Sequence, residues 1–123
     1  MVEYDTVASV KFEIPFPTTY VVDPDDPMEE PKAVQITEIW DYLAEMTAKY
    51  GGYTISNPYG PPPIAGGYQM GPLEQNFWAM LIIPGHLMQR AAEDVKQMIS
   101  FFKEKYHQRE ILAYYYPVNR YVP

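Results

Sequence analysis

Two histidines, one glutamate beside a glutamine and twelve tyrosines are the residues through which this chain could do chemistry. His86 and His107 are the natural proton shuttles, because unperturbed imidazole changes charge near neutral pH. They stand at opposite ends of one helical stretch, and that separation opposes a metal held by both. His86 at the start of the stretch suits a cap or loop. His107 at its end suits the negative pole of the helix dipole. Glu74, next to Gln75, stands where a base at the mouth of a hairpin would stand; a solvated acid is the plainer alternative. The chain has no G-x-S-x-G elbow, no phosphate-cradling G-x-x-x-x-G-K-[ST] loop and no G-x-G-x-x-G fingerprint. It also has no cysteine, which removes thiolate catalysis and cysteine-ligated metals. No catalytic residue, metal or cofactor is assigned.

Two further clusters carry a chemical reading and a plain one. Asp23, Asp25, Asp26, Glu29 and Glu30 crowd among Pro24, Pro27 and Pro31. Calcium takes six to eight oxygen ligands, but the glycine and ligand spacing of an EF-hand are missing, so a solvated acidic loop is expected. The stretch GGYTISNPYGPPPIAGGY then places Tyr53, Tyr59 and Tyr68 around a triple proline. Polyproline stiffness lowers the cost of ordering such a loop. Its tyrosines can serve as a lid or interface arm, or can merely cover Ile64 and Met70.

The elements that must position these residues follow from periodicity. In Thr6–Phe16, Ala8, Val10, Phe12, Ile14 and Phe16 alternate with Ser9, Lys11 and Glu13, the signature of a strand with one buried face. Pro15 and Pro17 end that ladder or confine it to an edge. The prolines of 18–32 leave a loop there with no regular element. Ile36, Ile39, Trp40, Leu43, Met46, Thr47 and Tyr50 recur at helical steps, and Gly51 supplies a left-handed stop. Gln75–Ile83 is apolar on both faces, with Phe77, Ala79, Leu81 and Ile83 on one and Trp78, Met80 and Ile82 on the other. Met88, Ala91, Ala92, Val95, Ile99, Phe102 and Tyr106 trace a second helix. Glu110–Tyr116 is the final strand, closed by Pro117.

Strands near 6–16, 52–57, 75–84 and 110–116 with helices near 34–50 and 86–107 give the order βαββαβ. That order predicts an α+β, ferredoxin-like domain: a four-stranded antiparallel sheet with two helices on one face. The proline-rich 57–74 is then the long connection of the central hairpin inside a single domain spanning 1–123. As a linker, it would leave each half too small to bury a core. Trp78, Met80 and Ile82, or their alternates Phe77, Ala79, Leu81 and Ile83, fall on the uncovered sheet face, where an apolar patch implies a partner or ligand.

Composition narrows the partners. A formal net charge of −7 opposes the phosphate neutralisation that nucleic-acid binding requires, and opposes docking on anionic membranes. No apolar run reaches the ~18–20 residues of a membrane span, and residues 1–10 lack signal-peptide character. A cytoplasmic protein is expected, as a homodimer or higher homo-oligomer with room for a small apolar ligand.

The segment order, the helix ending in "KYGGYT" and the long hairpin loop ahead of Glu74 and its strand resemble small, functionally unassigned bacterial proteins of ferredoxin-like fold. In plan these are similar to dimeric α+β barrel families, which include cofactor-independent monooxygenases and ligand-binding regulators. The likeness covers the layout of most of the chain but only "GGYT" in residues, and it carries over no catalytic residue. The likeness by itself implies no function; the tyrosine-rich surface and acidic exterior favour a binding or interaction protein for a small apolar or aromatic ligand or a protein partner. The alternative is a cofactor-independent enzyme, of monooxygenase or isomerase type, acting on an apolar or aromatic compound. Tyr53, Tyr59, Tyr68, Glu74, Trp78 and His86 are the candidate contact residues.

Overall fold

Alternation along the first strand translates into burial from Val10 onward. Ala8, expected on the buried side, is exposed, and Ser9, expected on the other, is buried with its hydroxyl donating to the Val7 carbonyl at 3.1 Å. In the computed structural model, which describes residues 5–51, 53–55, 65–67 and 73–122 (backbone only for 53–55, 65–67 and 73–75), β1 spans Asp5–Pro17. Val10, Phe12, Ile14 and Phe16 are buried, while Lys11 and Glu13 between them are half-buried on the other face. The following loop is closed by a short ribbon of β2 (Thr19–Tyr20) and β3 (Lys32–Ala33). This corrects the expectation of no regular element in 18–32. The prolines sit inside the loop, so the residues flanking them remain able to pair.

Helix α1 (Ile36–Tyr50) buries Ile39, Leu43, Met46 and Tyr50. Trp40 lies off that stripe and is 42% exposed. Gly51 ends the helix, its N–H donating to the Thr47 carbonyl at 3.0 Å. Its φ of 120° and ψ of −166° are a glycine-only extended conformation rather than the left-handed helical one expected. A Cβ at Gly51 would meet only the Ile82 carbonyl oxygen at 4.0 Å, so alanine is opposed by backbone strain and not by a clash. Gly51→Ala is therefore expected to cost about 1–2 kcal/mol, net of the unfolded-state entropy that alanine removes. The readout is a lower urea midpoint with an unchanged slope.

Strands β4 (Tyr53–Ile55), β5 (Ala65–Gly67) and β6 (Leu73–Pro84) follow. Then come a 3-10 turn at Gly85–Leu87, helix α2 (Met88–Lys105) and strand β7 (Tyr114–Val122). The sheet is antiparallel along the path β4-β6-β1-β7, with β5 also pairing β6. The architecture is α+β with two helices and an antiparallel sheet. Two expectations change. Ala65–Gly67 forms a strand inside the segment read as an unbroken loop, because backbone pairing to Leu73–Gln75 does not need strand-forming side chains. The last strand begins at Tyr114, not near 110, and runs through Pro117. Proline is tolerated there because β7 ends the sheet path and its outer edge needs no ladder bond.

β1 pairs β7 over Asp5–Glu13 and β6 over Ser9–Pro17. Pro15 and Pro17 thus fall beyond the last β7 pair, where one edge of β1 is open. Both helices join one buried cluster with the sheet: Ala91, Val95, Met98 and Phe102 from α2 pack with the α1 residues, with Phe12, Ile14 and Phe16 of β1 and with Phe77, Ala79, Leu81 and Ile83 of β6. Two polar clamps tie the helices together. Glu38 accepts hydrogen bonds from Lys105 and, at 3.1 Å, from the Tyr106 hydroxyl. Asp94 accepts from the Tyr50 hydroxyl at 2.6 Å and from Lys49 at 3.3 Å. Among the described residues, no helix is long and apolar enough to cross a membrane.

Candidate binding face

Register decides which side chains meet on the sheet face turned away from the core. Glu13 pairs with Met80 on one side and Tyr114 on the other; Lys11 pairs with Ile82 and Tyr116; Pro15 pairs with Trp78. Directly paired residues share a face. Lys11, Glu13, Trp78, Met80, Ile82, Tyr114 and Tyr116 therefore form one surface. Ile82 is 38% exposed and Tyr114 is 45% exposed, so helices do not cover it.

At its centre is a small polar network. The Tyr116 hydroxyl donates to Glu13 Oε1 at 2.8 Å, and Lys11 Nζ lies 3.2 Å from the same oxygen. The Lys11 ammonium also stands 6.0 Å from the centre of the Tyr116 ring, within range of a cation–π contact. Tyr114 is flanked by Trp78 and Tyr116, both with ring centroids at 6.3 Å. Hydrogen bonding by Tyr114, then by Tyr116, holds the Glu13 carboxyl below its ordinary range, with Lys11 adding to the effect and burial opposing it. The Lys11 ammonium is pushed up, chiefly by Glu13. Tyr114 is pushed up by its bond to Glu13. At neutral pH the carboxylate and ammonium are both charged and the phenol is protonated. None of these shifts moves a group toward neutrality, where a general acid or base works best. The arrangement suits recognition through aromatic area and satisfied polar tips.

Of the residues singled out from sequence, Trp78 lies on this face. His86 is exposed in the 3-10 turn beyond the end of β6. Pro84 lies six residue steps beyond Trp78, roughly 20 Å along the strand, so the structure does not bring His86 and Trp78 together. Tyr53 and Glu74 are placed by backbone alone, opposite Leu81 and Gly66. Tyr59 and Tyr68 lie outside the described residues. Lys11, Glu13, Tyr114 and Tyr116 were not identified from sequence. The signal was the polar half of the first strand's alternation, but it becomes a site only once β7 is in register.

The other candidates resolve into structure. In the acidic loop, Glu29 accepts from the backbone N–H groups of Val22 at 2.6 Å and Asp23 at 2.9 Å. Asp23 and Asp26 cap Asp25 and Met28 in the same way. These carboxylates hold the loop, and the described residues contain no group of acids and histidines fit to hold a metal ion. His107 has a φ of 50° and ends α2. Its N–H donates to the Glu104 carbonyl and that of Gln108 to the Lys103 carbonyl, a Schellman stop. Its ring stacks over Tyr20 at 6.3 Å. Comparison with protein families, curated proteins and solved structures finds no match to this chain.

Proposed function

We propose that this protein is a non-enzymatic binding module of ferredoxin-like plan that forms a homodimer through the open sheet face, where it meets a small apolar or aromatic ligand or a protein partner. Strand order supports the plan. β1 and β4 both run antiparallel to β6 between them, and β6 and β7 both run antiparallel to β1 between them. Two interleaved βαβ units, one through each helix, have this geometry. The observation that carries the function is the neutralised Lys11–Glu13 pair set among Trp78, Met80, Ile82, Tyr114 and Tyr116. A buried carboxylate is costly when unpaired. Here its partners are already in place, so a second copy can cover this face without stranding a charge. The apolar flanks supply the driving force, and an aligned or orthogonal packing of two such sheets buries them about 10 Å apart.

Sedimentation velocity at tens of micromolar is expected to give a dimer. Ile82→Arg is expected to weaken it at least about tenfold, because it places an unpaired charge at a desolvated contact, with circular dichroism unchanged. A monomeric parent chain overturns the proposal. A carboxylate base would be favoured by an upward shift, whereas the carboxyls of Glu13, Glu29, Glu38 and Asp94 all shift downward, each held by hydrogen bonds to its charged form.

A further inference from the structure

On the helix-covered side of the sheet, α2 connects β6 to β7 across β1 and leaves β7 partly bare. Tyr115 pairs with Phe12 and packs its ring 5.3 Å away, yet it is 53% exposed. At this step a cleft of about 300 Å3 opens between α2, the connection after it and the start of β7. That volume is at the lower end for small-molecule sites. Its floor is apolar: Phe12, Val95 and Ile111 are buried there, and Ile99 is half-buried. Lys96, Ser100 and Lys103 line it from α2 at helical spacing, forming one stripe.

Among the described residues neither the Lys96 nor the Lys103 ammonium has a hydrogen bond or ion pair, in contrast to those of Lys11, Lys49 and Lys105. Glu110 is the acidic group in the lining, and it is already engaged. Two ammonium groups against one carboxylate make a positive mouth on a chain of net charge −7. Phe12 and Tyr115 supply ring faces beside it.

We infer that this cleft binds a small aryl carboxylate, its ring against Phe12, Ile99 and Tyr115 and its carboxylate between Lys96 and Lys103. The cleft opens on the other side of the sheet from that face, although Tyr114 borders both, and the inference does not rest on the dimer. The probe is naphthoate, with naphthalenemethanol as its uncharged counterpart, each titrated into the full chain and followed by amide and methyl NMR shifts. Naphthoate is expected to bind saturably, about tenfold tighter than the alcohol, and to move Val95, Ile99 and Ile111. Lys96→Gln with Lys103→Gln is expected to bring naphthoate down to the alcohol's affinity, a loss of roughly tenfold for two partly exposed ion pairs. Ile99→Trp, which fills the cleft, is expected to block binding while leaving sedimentation unchanged. If that variant misfolds, the lysine pair decides the outcome. No binding, equal binding of acid and alcohol, or undiminished affinity in the lysine variant overturns the inference. So do shifts confined to Trp78 and Tyr116, which would place recognition on the open face.

Discussion

Replacing Phe102 by alanine is expected to cost about 3–5 kcal/mol, the range for a fully buried phenylalanine. Its ring is fully buried and meets four others: Phe16 at 5.4 Å, Tyr42 at 5.3 Å, Phe101 at 5.1 Å and Tyr106 at 5.9 Å. Phe16 comes from the sheet, Tyr42 from α1 and Phe101 from α2, so one side chain joins three layers of contact. The cavity left by alanine cannot collapse easily, because its walls belong to elements fixed by separate pairings. A chain of this length has of order 6–18 kcal/mol to lose, and the expected drop in melting temperature is about 12–20 °C. Phe101 is the matched control. It adjoins Phe102 in sequence but is 45% exposed, so Phe101→Ala is expected to cost under about 1.5 kcal/mol. Equal losses at the two positions would mean that α2 presents a different face to the sheet.

That contrast also bears on what periodicity can and cannot reveal. The first strand, both helices and the β6 strand were legible to within about two residues, because each carries a buried apolar stripe and the apolar spacing records it. Met98 lies on the buried stripe of α2 and was missed because the spacing can be satisfied through Ile99 instead. The final strand, expected near 110–116, begins four residues later and ends six residues later, at Tyr114–Val122. Glu110–Ala113 looks strand-like, yet Ile111 is buried as an anchor of the connection while Leu112 is 67% exposed. Pro117 was read as a stop, although an edge strand accepts it.

The candidate site divides in the same way. Trp78, Met80 and Ile82 share a face by alternation within one strand, so their grouping was visible. The meeting of Glu13 with Tyr114 and Tyr116 depends on pairing between residues about a hundred positions apart. No local pattern sets that register, and moving the last strand by a single residue would have put its tyrosines on the opposite face. The cleft was invisible for a related reason: it exists because one helix is too narrow to cover two strands.

The second large effect is on the pH range of stability, through the two clamps that join the helices. Tyr106 is 2% exposed, and burial together with its bond to Glu38 pushes its phenol up to about 12. A group whose folded pKa is raised contributes stability that is complete below its unfolded value, here 10.0, and is lost as pH rises through the folded one. The loss between those values is on the order of 2–3 kcal/mol. Tyr50, also raised by burial and by Asp94, adds to the same limb. The acid limb has the opposite sign. Glu38 is lowered by hydrogen bonding to Lys105 and Asp94 by hydrogen bonding to Tyr50, so their contribution is complete above the ordinary values of 4.5 and 3.8 and falls away below them. Both carboxylates are partly exposed, and solvent screening limits each to under about 1 kcal/mol. Urea unfolding is therefore expected to show a plateau from about pH 5 to 10, with the steeper fall on the alkaline side. Glu38→Gln should flatten the acid limb. It should also move the slowest-ionising tyrosinate absorbance toward its ordinary pH without reaching it, since burial is the larger cause of the Tyr106 shift. Constant stability from pH 10 to 12, or a Tyr106 that ionises along with the exposed tyrosines, would show that the clamp at this end of the helix pair does not hold.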